Sequence, residues 1–227
     1  MRSRLASLRT KLVMVMGSLI LPAFALTGGL TAQRVRGNAE GQAIKYMQSQ
    51  SMQYANQAKA LVEVPLDAVR TLAQTLPSID QIPTQACRPY VIDALRRIVE
   101  TNPDFLGAWF VAEPEGLGDG DKSCAGMGGS AGDSQGRFTA YYYRTGSGIE
   151  MEVGEASDDY GGPYYAVPKA RKAEYVTEPY FEELDDGSEV WMFSLAAPVI
   201  QGNTVIGVVG IDIRTETVGQ GLSDVKL

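Results

Sequence analysis

Three runs rich in Val, Ile, Tyr, Phe and Trp stand close together near the end of this chain: Glu174 to Glu182, Val190 to Ile200 and Thr204 to Ile213. They are separated by Asp185-Asp186-Gly187 and Gln201-Gly202-Asn203, which is turn chemistry, so the segment predicts an antiparallel meander. The last run, VIGVVGID, is apolar until Asp212, which sets a carboxylate at the edge of a buried surface. An unpaired charge there is costly, so Asp212 requires a partner from the protein or from a ligand.

Upstream the period changes. From Gln33 to Leu76 the chain is rich in Ala, Gln and Leu, and Ala43, Met47, Tyr54, Ala58, Leu61, Val62, Leu66, Val69 and Leu72 recur at three- and four-residue steps. This is the signature of a long amphipathic helix. At 1.5 Å per residue it would reach about 60 Å, more than one small domain can cover, so its N-terminal half is expected to pair with a second copy. Pro65 predicts a kink and Pro77 a stop. A second helix is expected within Pro83 to Asn102, and a first core strand over Phe105 to Glu113. A loop with eight glycines follows (Pro114 to Gly136), then a strand over Arg137 to Arg144 and a short helix or turn over Tyr164 to Lys172. Helices first and antiparallel strands after them make an α+β pattern.

Arg2, Arg4, Arg9 and Lys11 precede Leu12 to Ala32, a stretch of 21 residues without a charge. That is long enough to cross a hydrocarbon core of about 30 Å, with the basic flank in the cytoplasm. The stretch reads as a membrane anchor. A cleaved leader is the alternative, since Ala23-Phe24-Ala25 is a small-x-small site, and both readings export the rest of the chain.

Composition removes several function classes. A net charge of -7, with no basic run beyond the N-terminus, argues against nucleic acid. The chain has no His, so the usual general base, the usual zinc ligand and every Ser-His or Cys-His pair are missing; no enzyme, metal site or cofactor is expected. Cys87 and Cys124 suit an oxidising compartment and read equally as a bridge or as two thiols.

Two motifs in the glycine loop mislead. Gly128-Gly129-Ser130-Ala131-Gly132 imitates a nucleophile elbow without a preceding strand or a His. Asp119, Asp121 and Ser123 imitate the start of a calcium loop, but Cys124 and Ser130 stand where Gly and a bidentate Glu are needed. The expectation is a mobile surface loop. The tyrosines carry more: Tyr141, Tyr142, Tyr143, Tyr160, Tyr164, Tyr165, Tyr175 and Tyr180 put eight of eleven within forty residues. On a strand, alternate rings face opposite sides, so part of the cluster is core. The rest would line a pocket whose ring faces attract a cation, with carboxylates as counter-charge. Trp109 and Tyr142 enter as pocket candidates because they are aromatic and lie beside the loop.

The segments GRFTAYYYR (Gly136 to Arg144), GPYYAVPKARKAEYVTEPY (Gly162 to Tyr180) and SLAAPV with GNTVIGVVGIDI (Ser194 to Ile213) occur in a definite order and spacing. In these the chain resembles the Cache superfamily of extracytoplasmic sensor domains, in particular the membrane-distal module of double-Cache domains in bacterial chemoreceptors. The resemblance implies an α+β fold with a long N-terminal helix before a PAS-like antiparallel sheet. It divides the chain into a cytoplasmic N-terminus (1–11), a transmembrane helix (12–32), a long helix (33–76), a Cache ligand-binding module (77–213) and the start of a continuation (214–227). It also implies a homodimeric receptor in a bacterial inner membrane, with the sensor in the periplasm and an output in chemotaxis, a histidine kinase or a diguanylate cyclase. A structural protein whose long helix does the work is the rival from another class.

Amino-acid-binding Cache members grip the ligand carboxylate with Arg-Pro-Trp-Tyr and its ammonium with a later Tyr-x-Asp and the Asp ending the last strand. Here the later elements match as Tyr180-Phe181-Glu182 and Asp212, but the earlier one reads Gly162-Pro163-Tyr164-Tyr165. With the Arg replaced by Gly162, the device that rewards a carboxylate is missing. The resemblance therefore implies a site for a small cationic metabolite, an amine or quaternary ammonium compound, built from Tyr164, Tyr165, Tyr180, Glu182 and Asp212. Amino acids are the runner-up, with Arg144 approaching the carboxylate from another side. Asp158, Asp159 and Tyr160 lie near the family's other ligand tyrosine at a different spacing and carry no assignment.

Overall fold

A computed structural model describes residues 8–81, 83–183, 187 and 189–223. Asp185 and Asp186 of the expected turn, and Arg2 and Arg4 of the basic flank, lie outside the described residues. The chain divides into two compact units, residues 1–55 and 56–226. The first is helical from Leu8 onward and consists of the N-terminal part of α1 (Leu8–Thr75). Its apolar residues Leu12, Phe24 and Leu30 are all exposed, and α1 is long and apolar enough to cross a membrane by length and composition. The helix assignment continues through Pro22 and Pro65 without a break, and a 3-10 turn (Leu76–Gln81) containing Pro77 follows it.

The second unit holds the end of α1, α2 (Thr84–Thr101) and a seven-stranded sheet. Its strands are β1 (Gly107–Ala112), β2 (Thr139–Arg144), β3 (Ile149–Glu152), β4 (Tyr175–Val176), β5 (Tyr180–Glu183), β6 (Glu189–Gln201) and β7 (Thr204–Arg214). The order is β3-β2-β1-β7-β6-β4, with β5 also on β6, and every pairing is antiparallel. The meander is present with one change. Its first run is broken at Thr177–Pro179 into β4 and β5, because the Ser194 amide of β6 donates to the Thr177 hydroxyl (2.9 Å) instead of to a backbone partner. Strand β3 has no counterpart in the sequence reading: IEME is short and charged, and becomes a strand only by pairing with Tyr141 to Arg144.

The two faces of the sheet are used differently. Val69 and Leu72 near the end of α1 and Leu76 of the 3-10 turn, with Val91, Leu95 and Val99 of α2, cover one face, meeting Ala108, Phe110, Leu195, Val209 and Ile211. The four-residue spacing of 91, 95 and 99 gives α2 one fully buried stripe, and the two-residue spacing on each strand gives the sheet a matching apolar face. On the opposite face lie α3 (Ala156–Asp159) and α4 (Pro163–Arg171), which cover only part of it, with Trp109, Val111, Tyr165 and Val208 as their core. The uncovered remainder is where Asp212 points.

The glycine loop is not the free surface segment expected. Arg88 of α2, its side chain 4% exposed, donates to Asp119 Oδ2 at 2.6 Å, to Asp121 Oδ1 at 3.2 Å and to the Gly136 carbonyl at 2.7 Å. Buried charges persist only when paired and hydrogen-bonded, and this arginine ties both ends of the loop to one helix. The aspartates that imitate a calcium loop are thus partners of Arg88. Cys87 and Cys124 are both free thiols, so the bridged alternative does not hold here. Residues Thr215–Ser223 form a last helix, α5.

Candidate functional site

Asp212 sits near the end of β7, 2% exposed, opposite Gly107 of β1 and Ser194 of β6. Ser194 Oγ donates to its Oδ1 at 2.6 Å and Trp109 Nε1 donates to the same oxygen at 3.1 Å. Since the Ser194 proton goes to the carboxylate, the Tyr180 hydroxyl, 2.7 Å from Ser194 Oγ, is the donor in that contact. The Tyr141 hydroxyl is buried beside the same carboxylate without a hydrogen bond of normal geometry. Trp109 reaches this place because Gly210 lies under its indole: a Cβ at 210 would come within 2.2 Å of the ring. The partner required by the sequence is therefore a set of neutral donors, and among the described residues no Lys or Arg pairs with Asp212.

A cavity of about 140 Å³ opens over this carboxylate. Trp109, Tyr141, Tyr164, Tyr180 and Met192 form its apolar walls, and Glu152, Asp159, Glu182, Glu183 and Asp212 also line it. Among the described lining residues there is no Lys or Arg. The rings are mutually packed: Tyr164 meets Trp109 edge-on at 5.4 Å and stacks on Tyr180 at 6.1 Å, and Tyr141 stacks on Tyr143 at 5.1 Å. Burial pushes the Asp212 carboxyl up to about 6, against the bonds from Ser194 and Trp109 that favour its ionised form. Burial likewise pushes Asp159 up to about 6, although the Tyr164 hydroxyl donates to it at 3.0 Å, and burial raises Glu182 as well. Asp159, Glu182 and Asp212 are thus desolvated carboxylates whose pKa values burial raises, and they line the same cavity. Among the described residues no three of these acids converge closely enough to hold a metal ion.

Of the residues singled out from the sequence, Trp109, Tyr164, Tyr180, Glu182 and Asp212 come together around this cavity. Two do not. Tyr142 faces the α1–α2 side of the sheet and belongs to the main core, because the register Trp109 to Tyr141 sets odd-numbered residues of β2 on the Asp212 face. Tyr165 is fully buried behind the cavity, its hydroxyl on Glu113, a carboxylate shared with Lys169. Arg144 also fails as a carboxylate holder: its guanidinium donates to the Val99 carbonyl of α2 at 2.6 Å, across the sheet from the cavity. The reading missed Tyr141, Glu152, Asp159 and Ser194. For Tyr141 the available signal was parity with Trp109, for Asp159 its place five residues before Tyr164, and for Glu152 none, since β3 was not recognised.

A PAS-like sheet, with helices over one face and part of the other and a ring-lined cavity on the remainder, is the architecture of a sensor domain. Residues 91–220 match the family described as methyl-accepting chemotaxis protein-like, first PDC sensor domain, and the chain belongs to it. It is 29% identical over 141 residues to the methyl-accepting chemotaxis protein TlpQ of Pseudomonas aeruginosa, a match over 57% of this chain and 20% of TlpQ. The extracellular domain of a protein described as histidine kinase mmHK1S-Z3 superposes with a TM-score of 0.67 at 29% identity, covering 80% of this chain and 63% of that one. Methyl-accepting chemotaxis protein X superposes with a TM-score of 0.59 at 25% identity, over 76% and 65% of the two chains. The chain thus spans about a fifth of TlpQ and under two thirds of either solved domain.

Proposed function

We propose that this module senses a small cationic metabolite, an amine or quaternary ammonium compound, on behalf of a chemotaxis-type receptor. The observation that supports the reading is the cavity's lining of five carboxylates and several aromatic rings, with no basic side chain among the described residues. Ring faces and desolvated acids both favour a cation. The cavity volume of about 140 Å³ suits a small ligand group rather than a large one. The amino-acid alternative loses its support with Arg144 engaged on α2 and Gly162 in place of an arginine. The similarity to mmHK1S-Z3 favours a second reading of the output alone, in which the same sensor feeds a histidine kinase.

In this proposal α1 anchors the protein in a bacterial inner membrane by its apolar N-terminal stretch, the sensor lies in the periplasm, and two copies pair through the long helix. Thermal shift of the full chain against a panel of amines and their α-carboxylated counterparts tests the ligand class. A cation at about 100 times its dissociation constant should stabilise the fold by about 2.7 kcal/mol. The simple amines should shift the melting temperature at least as much as the matching amino acids. If arginine raises it and its decarboxylated amine does not, the amino-acid reading replaces this one.

A further inference from the structure

Gly162 is the residue before α4 and has φ −66 and ψ 141, a conformation open to every L-residue and favoured before a proline such as Pro163. Its backbone thus gives no reason for glycine. Nor does its position at the helix start, where no side-chain cap bond is made and Ser, Thr, Asp or Asn would supply one. The reason lies in what stands over it. A Cβ at 162 would come within 2.6 Å of Cζ, 2.7 Å of Cε1 and 3.0 Å of Oη of Tyr164, so the Tyr164 ring is folded back across the bare α-carbon. Held there, it meets Trp109, stacks on Tyr180, donates to Asp159 and forms one wall of the cavity.

We propose that Gly162 is a specificity-determining residue, which admits the Tyr164 ring as a wall of the cavity and thereby sets the upper size of the cation that binds. The inference rests on reading the cavity as a cation site. Any side chain at 162 collides with a ring on rotatable bonds, and the ring gives way before the backbone does. The hydrogen bonds of Gly162 involve only its backbone, its carbonyl accepting from the Tyr165 and Ala166 amides, so α4 still starts at the same place. The change is local: the wall swings out, Asp159 loses its donor, and the cavity widens toward the solvent.

The chain has two tryptophans, and Trp191 is exposed, so the full chain carrying Trp191→Phe reports on Trp109 alone. In this background Gly162→Ala should move the Trp109 emission to longer wavelength without ligand, as Tyr164→Ala should. Adding both changes should move it no further than Tyr164→Ala alone. An emission unchanged by Gly162→Ala, or two shifts that simply add, overturns the inference. Calorimetry with tetramethylammonium and tetraethylammonium supplies the second arm. The parent should prefer the smaller ion by at least about tenfold, the worth of a methylene or more against a fitted wall, and Gly162→Ala should lose that preference. A parent that discriminates and a Gly162→Ala variant that discriminates equally sink this inference and leave the cation site standing. A parent that binds neither ion sinks the cation site, and the size limit with it.

Discussion

At the scale of single residues, Asp212 is where stability and binding oppose each other. Both of its hydrogen bonds, from Ser194 and Trp109, end on Oδ1. An amide oxygen accepts them equally well, so Asp212→Asn keeps the donors satisfied and removes only the charge. Burial raises the folded pKa of Asp212 to about 6 from an unfolded value of 3.8, so the ionised form weakens the fold, by on the order of 3 kcal/mol at most. The sign follows directly: the group's contribution is most favourable below the unfolded pKa and is lost as pH rises through the folded one. Asp212→Asn should therefore melt higher than the parent at pH 7.5, by a margin that vanishes as pH falls toward 4. It should also bind the cationic ligand at least about tenfold more weakly. A variant that binds as tightly as the parent in calorimetry removes Asp212 from the site.

Elements are held by a few long-range ties. The glycine loop depends on Arg88, whose charge is buried between Asp119 and Asp121. Arg88→Met should leave two acids without their cation, at a cost of about 3–5 kcal/mol in denaturant unfolding. A loss below about 1 kcal/mol would mean that the loop stands without its arginine. On α1, Ile44, Met47 and Met52 are exposed and lie on the helix through which the proposed pairing of two copies would run. The face has few large aliphatic side chains, so pairing gains from confinement to a membrane. Cysteines placed at Met47 in two copies should crosslink in membranes. Inserted protein that gives no crosslink there or at neighbouring helix positions would favour a monomeric sensor.

For the whole molecule, the sheet separates two jobs. Its α1–α2 face is closed and apolar, while its other face is only partly covered and keeps desolvated carboxylates in reach of solvent. Cation binding by the whole domain should then depend on pH. Asp212 and Asp159 titrate near 6, and only their ionised forms attract a cation, so affinity should rise from pH 5 to pH 7 and flatten above it. Calorimetric titrations at several pH values read this directly. A pH-independent affinity would place the ligand charge away from both acids.

Much of this architecture was legible in the residues themselves. Period fixes helix against strand: the four-residue steps of Val91, Leu95 and Val99 and the apolar run ending at Asp212 each allow one local structure. Charge composition argues against nucleic acid, and the lack of His removes the common His-dependent catalytic pairs, because these depend on residue type alone. The resemblance to the Cache family's ligand motifs brought Tyr180, Glu182 and Asp212 forward together. What only the tertiary structure decided is parity and partnership. Whether Tyr141 or Tyr142 faces Asp212 depends on strand register against Trp109, a one-residue difference that no local preference encodes. That Arg144 serves α2, that Arg88 binds the loop, and that Gly162 makes room for a ring are contacts between side chains brought together by packing, and sequence spacing carries no information about them.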